Sequence, residues 1–400
     1  MNQTTSARAD RIPRGVWVLG FVSLLMDVSS ETIHALLPIY LVTVLGTSAL
    51  TVGVIEGIAE ATAAITKVFS GALSDRLGKR KVLAALGYGL AALTKPIFPL
   101  ADSIGWLVAA RFIDRLGKGI RGAPRDALIA DLTPPALRGA SFGLRQSLDT
   151  VGAFLGPLLA IAAMWLSAGN FTFVFWIAVI PAFVSFGLIA FAVREPERPT
   201  VLKAVRAPLS MRELGRLGGA YWSIVAIAAV FTLARFSEAF LILRAQSIGL
   251  PVALAPVVMV VMNVAYALSA YPAGALSDRF RRTDMLLIGL AFLIAADLTL
   301  GFATGIAALF AGVALWGVHM GFTQGLFAAM VADAAPAELR GTAFGAFNLL
   351  TGLSLLAASL MAGALWDAVG PAGTFLAGAA WSVIAVIGLG AVRARGNPRR

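Results

Sequence analysis

The chain contains no cysteine among its 400 residues. That absence excludes disulfides, thiolate metal sites and a thiol nucleophile. Charge is scarce as well: 13% of the residues are charged, against about a quarter in an average soluble domain. Apolar surface is what the chain has in excess, with 59% hydrophobic residues and a mean hydropathy of +0.85. A core this apolar cannot cover itself with polar surface, so lipid is the expected solvent. No cleavable signal peptide is apparent, because Arg8, Arg11 and Arg14 precede a hydrophobic run too long for a signal h-region. The formal charge of +11 would suit nucleic acid, but its placement favours a membrane.

A helix needs about 20 apolar residues to cross roughly 30 Å of hydrocarbon. Twelve segments meet that need, at about 15–45, 49–72, 81–101, 104–130, 139–166, 171–193, 219–247, 252–275, 284–303, 306–333, 340–366 and 372–393. Helices are the natural choice because each satisfies its own backbone in lipid. Turns such as "ADS" and "SAGN" separate most of them; the one long polar connection lies between spans six and seven. With the N-terminus inside, most of the Lys and Arg fall on the cytoplasmic side, and the opposite loops carry none. This positive-inside pattern puts both termini in the cytoplasm and accounts for the net charge without a nucleic acid.

Two phrases recur. "GALSDR" stands at 71–76 and again at 274–279. "ADLTPPALRGASFG" (130–143) aligns with "ADAAPAELRGTAFG" (332–345), 202 positions on. Two six-span halves in parallel orientation are therefore expected: an N-terminal bundle over 1–193, a cytoplasmic linker over 194–218 and a C-terminal bundle over 219–400. Such repeats are one of the arrangements found in secondary transporters.

The stretch "GALSDRLGKRK" (71–81) resembles the loop 2–3 signature of the major facilitator superfamily. The resemblance covers essentially the whole chain and implies an all-α integral membrane protein of twelve helices in two pseudo-symmetric halves. It implies a cytoplasmic latch of Gly71, Asp75, Arg76 and Gly78, with Asp131 as partner of Arg76, and Asp278 and Arg279 as the second copy. In span five, Gly143, Gly152, Gly156 and Pro157 match the antiporter motif of the superfamily's drug–proton antiporters, with Ala160 and Ile161 in place of its closing Gly-Gly. In span four, "RLGKGIRGA" (115–123) resembles a further antiporter motif. Arg115 and Gly119 match it, Lys118 and Arg121 depart from it, and the resemblance implies a role for Arg115 in proton transfer. The added cations argue against a purely lipophilic drug as substrate.

Ionisable groups at membrane depth are functional candidates by default. By resemblance, spans one, four, seven and ten line a central cavity, and the intramembrane charge concentrates there. Asp27, Glu31 and His34 share a face of span one, and Arg111, Arg115 and Lys118 share one of span four, which also carries Asp114. Span seven carries Arg235 and Glu238; span ten carries His319 and Gln324. A carboxylate that switches between a proton and an arginine partner is what proton coupling requires. Asp27 and Glu31 are the expected proton carriers, with Arg115 discharging them. His34, Arg111, Lys118, Arg235, Glu238, His319 and Gln324 are the expected substrate-binding residues. Metal is not expected, since the span-four cations would repel it. Elsewhere, Glu56 and Glu60 could guard an entrance, Lys67 could snorkel, and Asp297 reads as an isolated interhelix hydrogen bond.

The resulting expectation is a monomeric, multi-pass protein of a bacterial inner membrane. It would be a secondary active transporter that exports a polar or charged small molecule by proton antiport and alternating access. Protons, the substrate and lipid are its partners; no cofactor and no nucleic acid are expected. A proton symporter importing an organic anion or similar nutrient is one alternative, and a non-transporting receptor or scaffold on the same fold is another. No nucleophile–base, P-loop or metal-ligand motif points to an enzyme.

Overall fold

The computed structural model describes residues 11–134, 137–195, 211–277, 280–336 and 339–395. Residues 196–210 of the expected linker, Asp278 and Arg279, and the side chains of Asp75 and Arg76 lie outside the described residues. Among the described residues the secondary structure is helical throughout. The principal helices are α1 (Arg14–His34), α2 (Ala49–Leu77), α3 (Arg80–Thr94), α4 (Ile104–Leu132), α5 (Arg138–Leu166), α6 (Phe171–Gly187) and α7 (Gly219–Ala234). They continue with α8 (Ala239–Ser247), α9 (Val257–Ser277), α10 (Arg282–Gly301), α11 (Ile306–Thr323), α12 (Leu326–Ala334), α13 (Arg340–Val369) and α14 (Pro371–Arg395).

Among the described residues, eleven helical segments are long and apolar enough to cross a membrane. Helix α4 is as long as its neighbours, at 29 residues. It is not among the eleven because Arg111, Asp114, Arg115, Lys118, Arg121, Arg125, Asp126 and Asp131 load it with charge. Chain reversals follow local chemistry. Gly78 adopts φ +64° between α2 and α3, a left-handed conformation that costs other residues. Asn170 caps α6 by accepting from the Phe173 N–H at 3.1 Å. Trp17, Trp106 and Trp222 are all exposed, as residues of an interfacial aromatic belt would be.

The chain forms two compact units, Met1–Ile33 with Ile65–Ala207, and His34–Ala64 with Pro208–Arg400. The core of the first joins Val16, Leu19, Val22 and Met26 of α1 to Tyr88 and Ala91 of α3 and Leu128 and Ile129 of α4. Helices α3 and α4 cross on two glycines. A Cβ on Gly87 would lie 2.6 Å from the Gly117 carbonyl oxygen, and one on Gly117 would lie 2.6 Å from that of Gly87. Small residues of this kind let helices approach where lipid supplies no hydrophobic drive.

The second unit includes the start of α2, which packs along α13. A Cβ on Gly53 would collide with the Ser359 carbonyl, and one on Gly363 would lie 2.7 Å from the Ala49 carbonyl oxygen. At the end of this seam the Asp367 carboxylate accepts the N–H groups of Ala49 (3.1 Å) and Leu50 (2.9 Å), so a residue of α13 caps α2. Because backbone atoms, not side-chain tips, meet these glycines, Gly53→Val and Gly363→Val are each expected to cost about 1–3 kcal/mol. Thermal unfolding of the purified variants in detergent measures this; a melting temperature equal to the wild type's would contradict the seam.

Candidate functional site: a buried charged seam and two interrupted helices

The charges of α4 are gathered inside the first unit. Pro96 stops α3 one residue after Lys95, and the Lys95 ammonium turns inward, donating to Asp114 (2.9 Å) and to Ser30 of α1 (3.0 Å). Arg115 lies 3.9 Å from the same carboxylate. Arg111 and Arg115 are almost fully buried, at 2% and 1% exposure. They therefore sit inside the bundle rather than on an open substrate wall, whereas Lys118 is exposed.

Two turns along α4, Arg121 stacks 4.8 Å over the Tyr88 ring. Tyr88 shares a 3.1 Å hydrogen bond with Ser23 of α1, and Ser23 also accepts from Arg125. Arg125 pairs with Asp126 at 3.1 Å and reaches Asp149 of α5 at 4.0 Å. Arg145 closes the set, bonded to Asp149 one turn on and 3.7 Å from Asp126. The result is a chain of ion pairs and hydrogen bonds linking α1, α3, α4 and α5, most of it in the interior, where unpaired charge is costly.

Asp27 is half-buried in the field of Arg121, Lys118, Arg125 and Asp149. The antiporter-motif glycines seat it. A Cβ on Gly152 would lie 3.0 Å from the Asp27 Cβ, and one on Gly156 would lie 2.6 Å from the Glu31 Cβ. Thr32 adds a 3.0 Å bond to the Gly156 carbonyl, and Pro157 is buried beside it. Gly143, at the start of the motif, has open space around it.

In the second unit the helices break where candidate residues stand. Between α7 and α8 the segment Arg235–Glu238 is unwound, with the two side chains 3.9 Å apart and partly exposed. Helix α11 ends at Gln324, which is exposed, and Gly325 turns the chain at φ +81°. Interrupted helices of this kind free backbone groups for ligands. Two expected substrate residues are placed otherwise. His319 is fully buried, bonded through Nδ1 to the Gly289 carbonyl (2.9 Å) and tilted against Phe231. His34, at the end of α1, pairs with Glu56 at 3.4 Å, and Glu56 is itself buried rather than guarding an entrance.

At the latch, a Cβ on Gly71 would lie 3.4 Å from the Ala123 methyl. Asp131 pairs with Arg80 at 2.6 Å; the side chain of Arg76, its expected partner, lies outside the described residues. The second unit repeats the pair as Arg282–Asp333, 202 positions on. Sequence reasoning passed over Lys95, Arg125, Asp126, Arg145 and Asp149. Lys95, alone in an apolar run, and the i,i+4 pair Arg145/Asp149 were the available signals.

Apolar helices in this number, carrying their charge inside, define a multi-pass membrane protein. The chain belongs to the major facilitator superfamily: the family model described as Major Facilitator Superfamily matches residues 19–265 and 236–400. An uncharacterised MFS-type transporter of Methanocaldococcus jannaschii is 35% identical over 94% of this chain and 93% of its own length. The multidrug resistance protein MdtH of Edwardsiella ictaluri is 27% identical over 88% of this chain and 86% of its own. Among solved structures, the nucleoside transporter NupG aligns with a TM-score of 0.77 at 14% identity, over 94% of this chain and 99% of its own. The human organic anion transporter TETRAN aligns at 0.70 and 19% identity, over 94% and 100%. Family and fold are thus those of membrane transporters rather than enzymes.

Lys95→Met leaves Asp114 without its principal partner and is expected to cost about 3–5 kcal/mol. The double variant Lys95→Met/Asp114→Leu should recover most of the loss, read as melting temperature in detergent. Equal stability of Lys95→Met and the wild type would show that the pair carries no weight.

Proposed function

We propose that this protein is a proton-coupled secondary active transporter that exports a polar or charged small molecule by alternating access. In this reading α4 completes a set of twelve spans, both termini are cytoplasmic, and a monomer works in a bacterial inner membrane. Two bundles, over 1–193 and 219–400, rock about the central site across the linker 194–218. Asp27 and Glu31 carry the proton, Arg115 discharges them, and the interrupted segments bring Arg235, Glu238 and Gln324 to the substrate. Gly71, Asp75, Arg76 and Gly78 with Asp131, and Asp278 with Arg279, serve as the cytoplasmic latch.

The observation that carries this reading is the seating of Gly152 and Gly156 directly against Asp27 and Glu31. The antiporter motif and the acids expected to bind protons are one packed unit, so a change in either acid is felt along α5. Similarity to a multidrug resistance protein supports export.

A second reading, symport of an organic anion, is favoured by the surplus of cations in the first unit. Lys95, Arg111, Arg115, Lys118, Arg121, Arg125 and Arg145 outnumber Asp27, Glu31, Asp114, Asp126 and Asp149.

Inverted membrane vesicles with an internal pH indicator and a panel of cationic, neutral and anionic substrates separate the two. Substrate-induced loss of the vesicle proton gradient is expected for antiport, and a pH change of opposite sign for symport. Asp27→Asn should abolish the pH change. Gly156→Leu, which displaces Glu31 without removing it, should weaken it severely. Coupled transport that survives Asp27→Asn unchanged would refute the assignment of the proton carrier.

A further inference from the structure

Asp297 of α10 is fully buried, and neither of its carboxyl oxygens has a hydrogen-bond partner among the described residues. It is not loosely placed. A Cβ on Gly378 of α14 would lie 2.6 Å from Oδ2 and 3.0 Å from the Phe236 ring, so glycine is what admits the acid to this layer. Phe236 belongs to the unwound segment between α7 and α8 and packs on Trp316 (5.4 Å between centroids) and Phe375 (5.5 Å). The Trp316 indole N–H is also buried without a partner among the described residues.

The internal repeat says what this place is. The pairs Arg80–Asp131 and Arg282–Asp333 stand 202 positions apart. So do the contacts Gly87–Gly117 and Gly289–His319. In that register Lys95 corresponds to Asp297, and Asp114 to Trp316. The positions that hold an ion pair in the first unit therefore hold a carboxyl group and an indole in the second, and Phe236 lies against both.

We propose that Asp297 is a proton-binding site of the second unit, the repeat counterpart of Lys95, whose gain and loss of a proton repacks the aromatic layer at the break between α7 and α8. The role in coupling rests on the proton-transporter reading above. A carboxylic acid is tolerated in this layer because it is neutral; an ionised carboxylate there would stand without solvent or counter-ion.

The groups available to it are few. On α8, Arg244 lies one turn past Asp297 with its donors committed to the carbonyls of Leu300 (2.9 Å) and Ala303 (2.8 Å). In the break, Arg235 is matched by Glu238. On α11, Trp316 offers its N–H, and His319 lies about 12 Å farther along the α10–α11 seam at 1.5 Å per residue. Over 371–391, α14 carries no charged residue. Ionisation of Asp297 must therefore recruit the indole or draw an arginine toward the layer, and either shift moves Phe236 and the unwound segment with it.

Infrared difference spectroscopy of the protein in lipid, stepped between acidic and alkaline buffer, tests the site without any need for transport. The wild type should show a protonated-carboxyl carbonyl band that bleaches as pH rises and is absent from Asp297→Asn. That variant is isosteric with the neutral acid and should fold normally. In vesicles, Asp297→Asn should transport without a proton gradient as the wild type does, and should gain nothing when a gradient is imposed. Identical spectra from both proteins would show that Asp297 exchanges no proton. A band present at every pH, with gradient-driven flux intact in Asp297→Asn, would reduce it to a permanently neutral packing residue. If the wild type couples no substrate to protons while the bleaching band depends on Asp297, the transporter reading fails and the protonation site stands.

Discussion

Charge removed from water must be paired, and the structure of the first unit follows from that constraint. Helix α4 carries more ionised side chains than an isolated helix brings into a bilayer. It becomes tenable because its neighbours supply partners: Lys95 at the end of α3, Ser23 and Ser30 on α1, Asp149 on α5. The same bonds that make α4 acceptable in the core join four helices into one electrostatic body. A change in the charge of one pair would be felt by partners on another helix.

The second unit shows what the scaffold looks like without that charge. Its helix contacts are in register with those of the first, down to the Arg282–Asp333 pair. Yet where α4 has Arg115, Arg121 and Arg125, the register places Gly317, Thr323 and Phe327, and the interior is filled with Phe231, Phe236, Trp316 and Phe375. One duplicated frame thus holds an ionic interior in one copy and an aromatic one in the other. Asp297 stands out in the second because, among the described residues, its carboxyl oxygens have no hydrogen-bond partner and the nearby Arg244 is committed to backbone carbonyls.

Much of this was legible before any coordinates. Apolar run lengths located the helices, and the 202-residue offset of the phrases at 130–143 and 332–345 is also that of the matched ion pairs. The charges on α4 could be named, but their partners could not, because Lys95 to Asp114 and Arg125 to Asp149 are contacts between helices and periodicity speaks only for one helix at a time. His319 and His34 show the reverse error. A titratable residue on a presumed cavity helix was read as facing a cavity. A backbone carbonyl claimed the first and Glu56 the second. The breaks at 235–238 and 324–325 left weaker marks: Gly325 hints at one, and no glycine or proline marks the other.

The sign of charge ties substrate class to direction. Protonating Asp27 or Glu31 adds positive charge to a seam already rich in arginine and lysine, and so strengthens its hold on an anion. By linkage the anion strengthens the hold on the proton by the same factor. Ligands that bind cooperatively travel together, which is symport. Antiport needs competition, and competition for a carboxylate comes from a cation or a strong hydrogen-bond donor. An exporter working through Asp27 must therefore seat the positive or donor end of its substrate on the acids that Gly152 and Gly156 press into place. The surrounding arginines then serve to expel the proton when the substrate arrives, rather than to bind the substrate themselves.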